Sequence, residues 1–169
     1  MAGRDDIYAM LRPPVPTPDD ELCSCPSGTP VKLMSAGGIG FNPVHCLNCN
    51  LEVAPERLGL SAELAWEVAS WLLTYGAIDA LELESGEYES WARGVLLDPT
   101  SPTNLAGFAV SRRLNELTRC YFWFWQGDGD DDWEPRSTCP ICERPLAPYN
   151  VGIFPQLLCE HDSLVLAGR

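Results

Sequence analysis

Apolar residues recur at three- and four-residue steps in a segment that follows Ser61. This stripe consists of Leu64, Val68, Trp71, Leu72 and Tyr75. The spacing places all five side chains on one face of an α-helix, and a serine just before such a stripe is a favoured N-cap. We therefore predict a helix that packs one face against a core and that ends or bends at Gly76.

A second periodic segment spans residues 103–118 and follows a cap-like cluster that begins at Ser101. Its predicted inward residues are Leu105, Phe108, Ala109, Leu114 and Leu117. Arg112 and Arg113 are predicted to face outward. Between the two segments, a shorter helix is predicted to cover the core with Trp91.

Three segments have the composition of strands. The stretch 120–125 is aromatic and predicts a buried strand. Two shorter strands are predicted near the N-terminus, at Val31–Leu33 and at residues 39–41, in a region rich in glycine. Both short strands lie between two pairs of cysteines, so the role of those cysteines decides how the region folds.

The first cysteine group consists of Cys23 and Cys25, followed after twenty residues by Cys46 and Cys49. Zinc prefers four soft ligands in a tetrahedron, and two short turns that each offer two thiolates satisfy this preference without a large core. The first pair is separated by one residue instead of two, which excludes the usual turn. His45 is therefore an alternative ligand for a weakly placed thiolate.

The second group consists of Cys139 and Cys142, followed after sixteen residues by Cys159 and His161. Three thiolates and one imidazole form a closed zinc site of a common type. Asp162 is the competing fourth ligand, because it stands where a regular C-x2-C pair would have its second cysteine. The remaining cysteine, Cys120, precedes the aromatic run and is predicted to be a buried thiol.

Composition and charge narrow the function classes. The N-terminus lacks the basic start and apolar centre of a secretory signal, and no stretch has the ~18 consecutive apolar residues of a membrane span, so we expect a cytoplasmic protein without a membrane partner. In a reducing compartment, paired cysteines favour metal over disulfides. The net charge of −13 opposes binding to a phosphate backbone and favours a partner with a basic surface.

Together these patterns predict a small α+β protein, with a central helical core and an aromatic strand flanked by N- and C-terminal zinc ribbons. The predicted divisions are a Pro-rich tail and linker (1–21), the first ribbon (22–58), a mainly helical middle region (59–126) and the second ribbon (127–169). We expect these parts to form one compact unit with two structural Zn²⁺ ions.

The order of motifs resembles an uncharacterised bacterial zinc-ribbon family that is described only as a candidate for nucleic-acid binding. The resemblance covers residues 64–166 and is carried by the 104–125 segment, Cys139-Pro-Ile-Cys142, Gly152-Ile-Phe154 and Cys159. It departs from the family where the last C-x2-C appears as Cys159-Glu-His161-Asp162. The family brings no established activity, so the resemblance supports the fold and the metal more than a function.

Three function classes remain. The leading prediction is a non-catalytic protein–protein interaction module, including an immunity or anti-toxin protein that covers a basic surface. The alternative is a nucleic-acid-binding zinc ribbon, which would need Arg136, Arg144 and the pair Arg112 and Arg113 to cluster in space. An enzyme is disfavoured because both sites can supply four protein ligands, and because zinc-deaminase, phosphate-loop and G-x-S-x-G signatures are missing from the sequence.

Overall fold

The computed structural model describes residues 6–35, 42–127 and 133–169. Within these residues the protein is a small mixed α/β protein with four α-helices and one six-stranded sheet. The helices are α1 (Pro55–Leu58), α2 (Ala62–Glu84), α3 (Glu89–Leu97) and α4 (Pro102–Asn115). The strands are β1 (Val31–Leu33), β2 (Val44–Cys46), β3 (Cys120–Trp123), β4 (Ala147–Tyr149), β5 (Gln156–Cys159) and β6 (Leu164–Ala167). The strand predicted at residues 39–41 falls outside the described part of the chain.

Helix α2 forms for the reasons the sequence suggests. The Ser61 hydroxyl accepts a hydrogen bond from the Leu64 amide at 3.2 Å, which caps the first turn. All five residues of the predicted stripe are buried. The helix does not end at Gly76, however, but continues to Glu84. Gly76 is itself buried, so packing outweighs the cost of about 1 kcal/mol that glycine imposes on a helix.

Helix α4 is rotated relative to the prediction. Phe108 and Leu114 are buried as expected, but Leu105, Ala109 and Leu117 are exposed. The buried face instead includes small and polar residues, namely Thr103, Asn104, Gly107, Val110 and Ser111. The prediction was wrong because it gave no weight to the glycine and the small polar residues of the helix, which make up much of its buried face.

Helix α3 also presents a different face from the one predicted. Trp91 is 56% exposed, whereas its neighbour Ala92 and Leu96 are fully buried. Ala92 and Leu96 are four residues apart and share one face of the helix, so the adjacent Trp91 points about 100° away from them. Trp91 therefore does not cover the core.

The aromatic strand β3 is at the centre of the sheet, whose strand order is β2-β1-β3-β6-β5-β4. It pairs in parallel with β1 and with β6. Phe122 is fully buried, with ring centroids 4.7 Å from Phe108, 5.8 Å from Trp71 and 6.5 Å from Tyr75. The prediction of a buried aromatic strand is thus confirmed for Cys120–Trp123, two residues shorter than predicted, and the strand joins the sheet to α2 and α4.

The two cysteine-containing ends of the chain meet in this sheet. Strands β1 and β2 come from the N-terminal cysteine segment, and β4 to β6 come from the C-terminal one. Because β3 lies between β1 and β6, it connects the two ends through continuous backbone pairing. The helices pack on the face of the sheet that bears Phe122.

Candidate metal centres

Four thiols come together beside the end of β2. The Sγ atoms of Cys23, Cys25, Cys46 and Cys49 lie within 4.8 Å of one another. A tetrahedral ion with metal–sulfur bonds of about 2.3 Å would place its sulfur ligands about 3.8 Å apart. The four cysteines predicted for the first site are therefore close enough together to hold one metal ion.

The turn at residues 46–49 supplies two of these thiols. The Asn50 amide donates to the Cys46 carbonyl at 3.0 Å, and the Cys46 amide donates to the Leu51 carbonyl at 2.9 Å. Asn50 has a left-handed backbone with φ of 61°, a conformation that asparagine tolerates better than most residues. These features reverse the chain tightly and bring Cys49 back toward Cys46.

The other two thiols come from Cys23 and Cys25, whose single-residue spacing cannot form that turn. The Cys23 amide donates to the Glu52 carbonyl at 2.8 Å. Arg57 donates to the carbonyls of both cysteines, so a side chain from α1 fixes the pair in place. Its positive charge also lies beside a group that would carry a charge of −2 as four thiolates around one divalent ion.

His45 does not belong to this group. Its Nδ1 lies 3.0 Å from the carbonyl oxygen of Asn50. Because a carbonyl can only accept, Nδ1 is the protonated nitrogen of the neutral ring. Burial lowers the pKa of His45, which favours that neutral form. The imidazole thus supports the 46–49 turn from outside the thiol group.

The second group consists of Cys139, Cys142, Cys159 and Asp162. Two of its sulfur atoms, those of Cys142 and Cys159, are 3.6 Å apart. The Asp162 Oδ2 lies 3.1 Å from the Cys139 Sγ and 3.4 Å from the Cys159 Sγ. Tetrahedral bonds of about 2.3 Å to sulfur and 2.0–2.2 Å to oxygen would give separations of about 3.8 and 3.5 Å. This group is therefore also compatible with one bound metal ion.

The backbone explains why the fourth member is an aspartate. Glu143 follows the 139–142 turn with φ of 61°, and Ser163 follows residues 159–162 with φ of 50°. Asn50 has the same left-handed conformation after the 46–49 turn. In all three turns a left-handed residue therefore follows the fourth position directly. In the last turn that fourth residue is Asp162.

His161, which the sequence placed in the second site, lies outside the group that comes together. Its side chain is half exposed, and its Nδ1 is 3.0 Å from the Asp162 Oδ1. The Oδ2 of the same carboxylate faces the thiols. His161 is thus placed to orient the carboxylate, as outer residues commonly do for metal ligands.

Protonation of the second group follows from burial and hydrogen bonding. Burial raises the pKa of the Cys139 and Cys159 thiols, so both are protonated at neutral pH in the metal-free chain. Burial also acts to raise the pKa of Asp162, but hydrogen bonds from Cys142 and Cys139 lower it to about 2. Metal binding must therefore displace protons from the thiols but none from the carboxylate.

Cys120 is separate from both groups. It is fully buried on β3, where burial raises the pKa of its thiol to about 12. Because the thiolate is the reactive form of cysteine, this residue is an inert part of the core. The sequence prediction for Cys120 is confirmed.

Hydrogen bonds link the turn at residues 46–49 to the segment that lies between Cys142 and Cys159. The Tyr149 hydroxyl donates to the Asn48 side chain, and the Gln156 side-chain Nε2 donates to the Leu47 carbonyl at 2.9 Å. The Lys32 ammonium, almost fully buried, donates to Gln156 at 3.1 Å. The two centres are thus parts of one packed structure and do not belong to independent lobes.

Comparisons with protein-family models, with curated proteins and with solved structures give no match. Membership of the zinc-ribbon family that the sequence resembles therefore stays a prediction.

The chemistry of the two groups is determined by their donor atoms. The first offers four thiolates, and the second offers three thiolates and one carboxylate. A tetrahedral ion would find all four positions occupied by protein atoms, which is the arrangement of sites that stabilise a fold. Each group also brings together parts of the chain that are far apart in sequence, so a bound ion would act as a cross-link.

Proposed function

We propose that this chain is a non-catalytic, cytoplasmic protein that is held together by two structural zinc ions and acts as a protein–protein interaction module. The observation that carries the proposal is the assembly of two four-ligand groups on one sheet, each with its ligand atoms within 4.8 Å of one another. The strands at both ends of the chain are also tied to the helices through β3 and the apolar core, and the metal ions would add cross-links to this packing.

Zinc is the ion that best suits both donor sets. Thiolates are soft ligands that select zinc or iron–sulfur clusters over magnesium and calcium. Iron–sulfur clusters usually take four cysteines, whereas the second group contains only three and an aspartate. Zinc accepts carboxylate oxygen together with thiolate sulfur, so one ion accounts for both groups.

The proposal of a non-catalytic role rests on the closed coordination. A catalytic zinc keeps one position open for water or substrate, whereas four protein atoms around the ion leave none. Substrate would have to displace a ligand that the turn geometry holds in place. Conversion of a substrate by the fully metallated chain would contradict this part of the proposal.

The charge of the protein supports a partner with a basic surface. Seven thiolates add seven negative charges and two zinc ions return four, so the formal charge falls from −13 to −16 on full metallation. A field of this sign attracts cationic surfaces and accelerates their association at low salt. An immunity or anti-toxin protein that covers a basic nuclease is the most specific version of this role.

Part of the positive charge that a nucleic-acid interface could use is neutralised by ion pairs. Arg113 forms an ion pair with Glu67, and Arg119 forms one with Glu160. Neutralised arginines release few phosphate counterions, so they contribute little to nucleic-acid affinity. Tight, salt-sensitive gel-shift of DNA or RNA by the zinc-loaded protein would favour this alternative over the interaction module.

The metal part of the proposal is tested by chelation of the reduced, purified protein. We expect a strong chelator to remove zinc and to lower the melting temperature markedly, because both cross-links are lost. Added zinc should restore the original melting curve. A melting temperature that is the same with and without chelator would contradict a structural role for the metal.

The partner part is tested by affinity capture from the native host at several salt concentrations. We expect the captured protein to be basic and to be released as salt rises, since salt screens exposed charges. Zinc-depleted protein serves as the control and should capture less. Capture that is unchanged by salt and by zinc removal would contradict the proposed mode of binding.

None of the helices in the described part of the chain combines the length and the hydropathy that a membrane-spanning segment requires.

A further inference from the structure

An apolar groove runs between α2 and α4. Its volume is about 410 Å³. The lining residues from α2 are Trp66, Glu67, Ser70, Trp71 and Thr74, and those from α4 are Pro102, Thr103, Ala106, Ala109 and Val110. All but one of these side chains are uncharged, so the groove offers little to a polar ligand.

Large apolar side chains on both helices are exposed to solvent, and one of them, Trp66, lines the groove. Trp66 is 60% exposed and Leu73 is 59% exposed, and they are seven residues apart on α2, which places them on the same face. Leu105 of α4 is 53% exposed. Helix α2 already buries its predicted stripe, so Trp66 and Leu73 form a second apolar face that is accessible for binding.

The two helices define the shape of the occupant. The ion pair between Arg113 and Glu67 joins the end of α4 to the beginning of α2, so the helices are antiparallel. The lining of α2 extends from Trp66 to Thr74, which is about two helical turns or roughly 12 Å. A groove of this length between two helices fits one face of a third helix. Such a helix would insert apolar side chains at positions i, i+3, i+4 and i+7.

Charges at the ends of the groove favour a cationic occupant. Near the start of α2, the side chain of Glu63 is 76% exposed. The guanidinium of Arg113 pairs with both Glu63 and Glu67, so one positive charge is shared between two carboxylates. At the other end, the fully exposed Asp98 precedes the first turn of α4, and hydrogen bonds from Thr100 lower the pKa of its carboxyl. Carboxylates therefore remain available at both ends for lysine or arginine side chains.

A second copy of the chain is a poorer occupant. Each copy carries a formal charge of −13, so two copies repel each other before any apolar surface is buried. A basic partner experiences the opposite force. The exposed indole of Trp66 also offers a face on which an arginine side chain can stack.

We propose that the groove between α2 and α4 receives a cationic amphipathic helix of a partner protein. Apolar residues of that helix fill the groove between Trp66 and Ala106, and its lysine or arginine residues reach Glu63 and Asp98. This inference rests on the proposed role as an interaction module, to which it adds the surface and the chemistry of the partner.

The test uses a fluorescein-labelled synthetic helix of about 18 residues, roughly five turns, with leucine at i, i+3, i+4 and i+7 and arginine at the outward positions. Binding to the full-length, zinc-loaded protein is measured by fluorescence anisotropy. We expect saturable binding, and binding weaker by on the order of tenfold for Trp66→Ala and for Ala106→Glu. Leu83→Ala is the matched control, because Leu83 is an equally exposed leucine of α2 outside the groove lining, and it should bind like the wild type.

Two further arms separate the possible occupants. A peptide with the same leucine pattern and glutamate in place of arginine should not bind, and Glu63→Gln together with Asp98→Asn should weaken the cationic peptide by a few-fold. Equal affinity of wild type and Ala106→Glu would overturn the proposal, because the peptide would then bind through charge alone. Self-association that Trp66→Ala abolishes would also overturn it in favour of a second copy.

Zinc content is measured on each variant, so failure of this inference is distinguishable from failure of the proposed function. A zinc-loaded protein that binds no cationic helix contradicts the groove assignment but leaves the two metal sites intact. A protein without zinc that still binds the peptide through the groove contradicts the metal assignment alone.

Discussion

The fourth member of the second metal group shows how a single backbone conformation selects a ligand. An imidazole is a more frequent partner of three thiolates than a carboxylate, and this preference led the sequence analysis to His161. Ser163 is left-handed and follows residues 159–162 directly, as Asn50 follows residues 46–49. The fourth position of that turn points inward, and it is occupied by Asp162. The spacing from Cys159 was therefore a better guide than the identity of the side chain.

The first prediction concerns this pair of residues. Asp162→Asn should weaken zinc binding at the second site by on the order of 100-fold or more, because it replaces a charged ligand that has a pKa of about 2. His161→Gln should weaken it less, since it removes only the contact that orients the carboxylate. Competition with a metal-binding dye measures both affinities.

The control for this comparison is Asp162→Cys, which creates a four-thiolate site and should keep or increase the affinity for zinc. If His161→Gln released zinc as readily as Asp162→Asn, the assignment of Asp162 as the fourth ligand would be incorrect.

The second prediction concerns Lys32, which burial holds at a pKa of about 8. The unfolded chain keeps this amine protonated up to its ordinary pKa of 10.5, so the unfolded state binds more protons between about pH 8 and 10.5. Stability of the wild type should therefore rise with pH in that window, by at most about 3 kcal/mol. Lys32→Met should lack this rise, as measured by urea unfolding at pH 7, 8.5 and 10.

Lys32→Arg provides the matched control, since its guanidinium stays charged throughout the window. It should be less stable than the wild type at every pH and show no corresponding rise. Parallel pH profiles for the wild type and Lys32→Met would contradict the assignment of a depressed pKa to Lys32.

At the scale of elements, the three longer helices could be predicted from the sequence, but the buried face was predicted correctly only for α2. The stripe of α2 is made of large apolar residues and was identified correctly. Helix α4 instead turns Gly107 toward β3, where a Cβ atom would lie 2.3 Å from the Phe122 ring. Hydropathy does not reveal such a contact, because the close packing of α4 on β3 requires that residue 107 have no side chain.

The third prediction follows from this contact. Gly107→Ala should destabilise the protein by about 1–3 kcal/mol, because the new methyl group overlaps the Phe122 ring. Gly94→Ala in α3 is the matched control, since a Cβ there meets nothing within 4 Å and alanine favours a helix. It should be neutral or stabilising by up to about 1 kcal/mol. Chemical unfolding of both variants measures the difference, and equal effects would contradict the close packing of α4 on β3.

Which strands pair with one another could also not be predicted from the sequence, for a physical reason. Strand β1 pairs in parallel with β3, although nearly ninety residues separate them in the register of Val31 with Cys120. Local patterns identify the strands. The pairing of β1 with β3, however, depends on how α2 and α4 pack, and these helices lie between the two strands along the chain. Arg57 was missed for the same reason, since no local motif links it to Cys23 and Cys25.

At the scale of the whole molecule, the sheet connects the two candidate metal centres. Cys46 ends β2 and Cys159 ends β5, and the strands between them are paired without a break. Gln156 connects to the first turn through Leu47. We therefore expect that order at one centre stabilises the other.

The fourth prediction tests this coupling. Asp162→Asn changes a residue that belongs to the second site alone. It should nevertheless weaken zinc binding at the first site by about tenfold, a coupling that is typical of linked sites. The effect should be smaller when Tyr149→Phe and Gln156→Leu remove the side-chain links between the centres. Site-resolved zinc release under chelator challenge provides the measurement. Unchanged release from the first site would show that the two centres are independent.

The central claim, that two metal ions complete this fold, is tested most directly by native mass spectrometry of the full-length protein purified under reducing conditions. The account predicts a mass that corresponds to two zinc ions per chain, with both ions lost on acid denaturation. A folded protein whose native mass corresponds to the metal-free chain would contradict it.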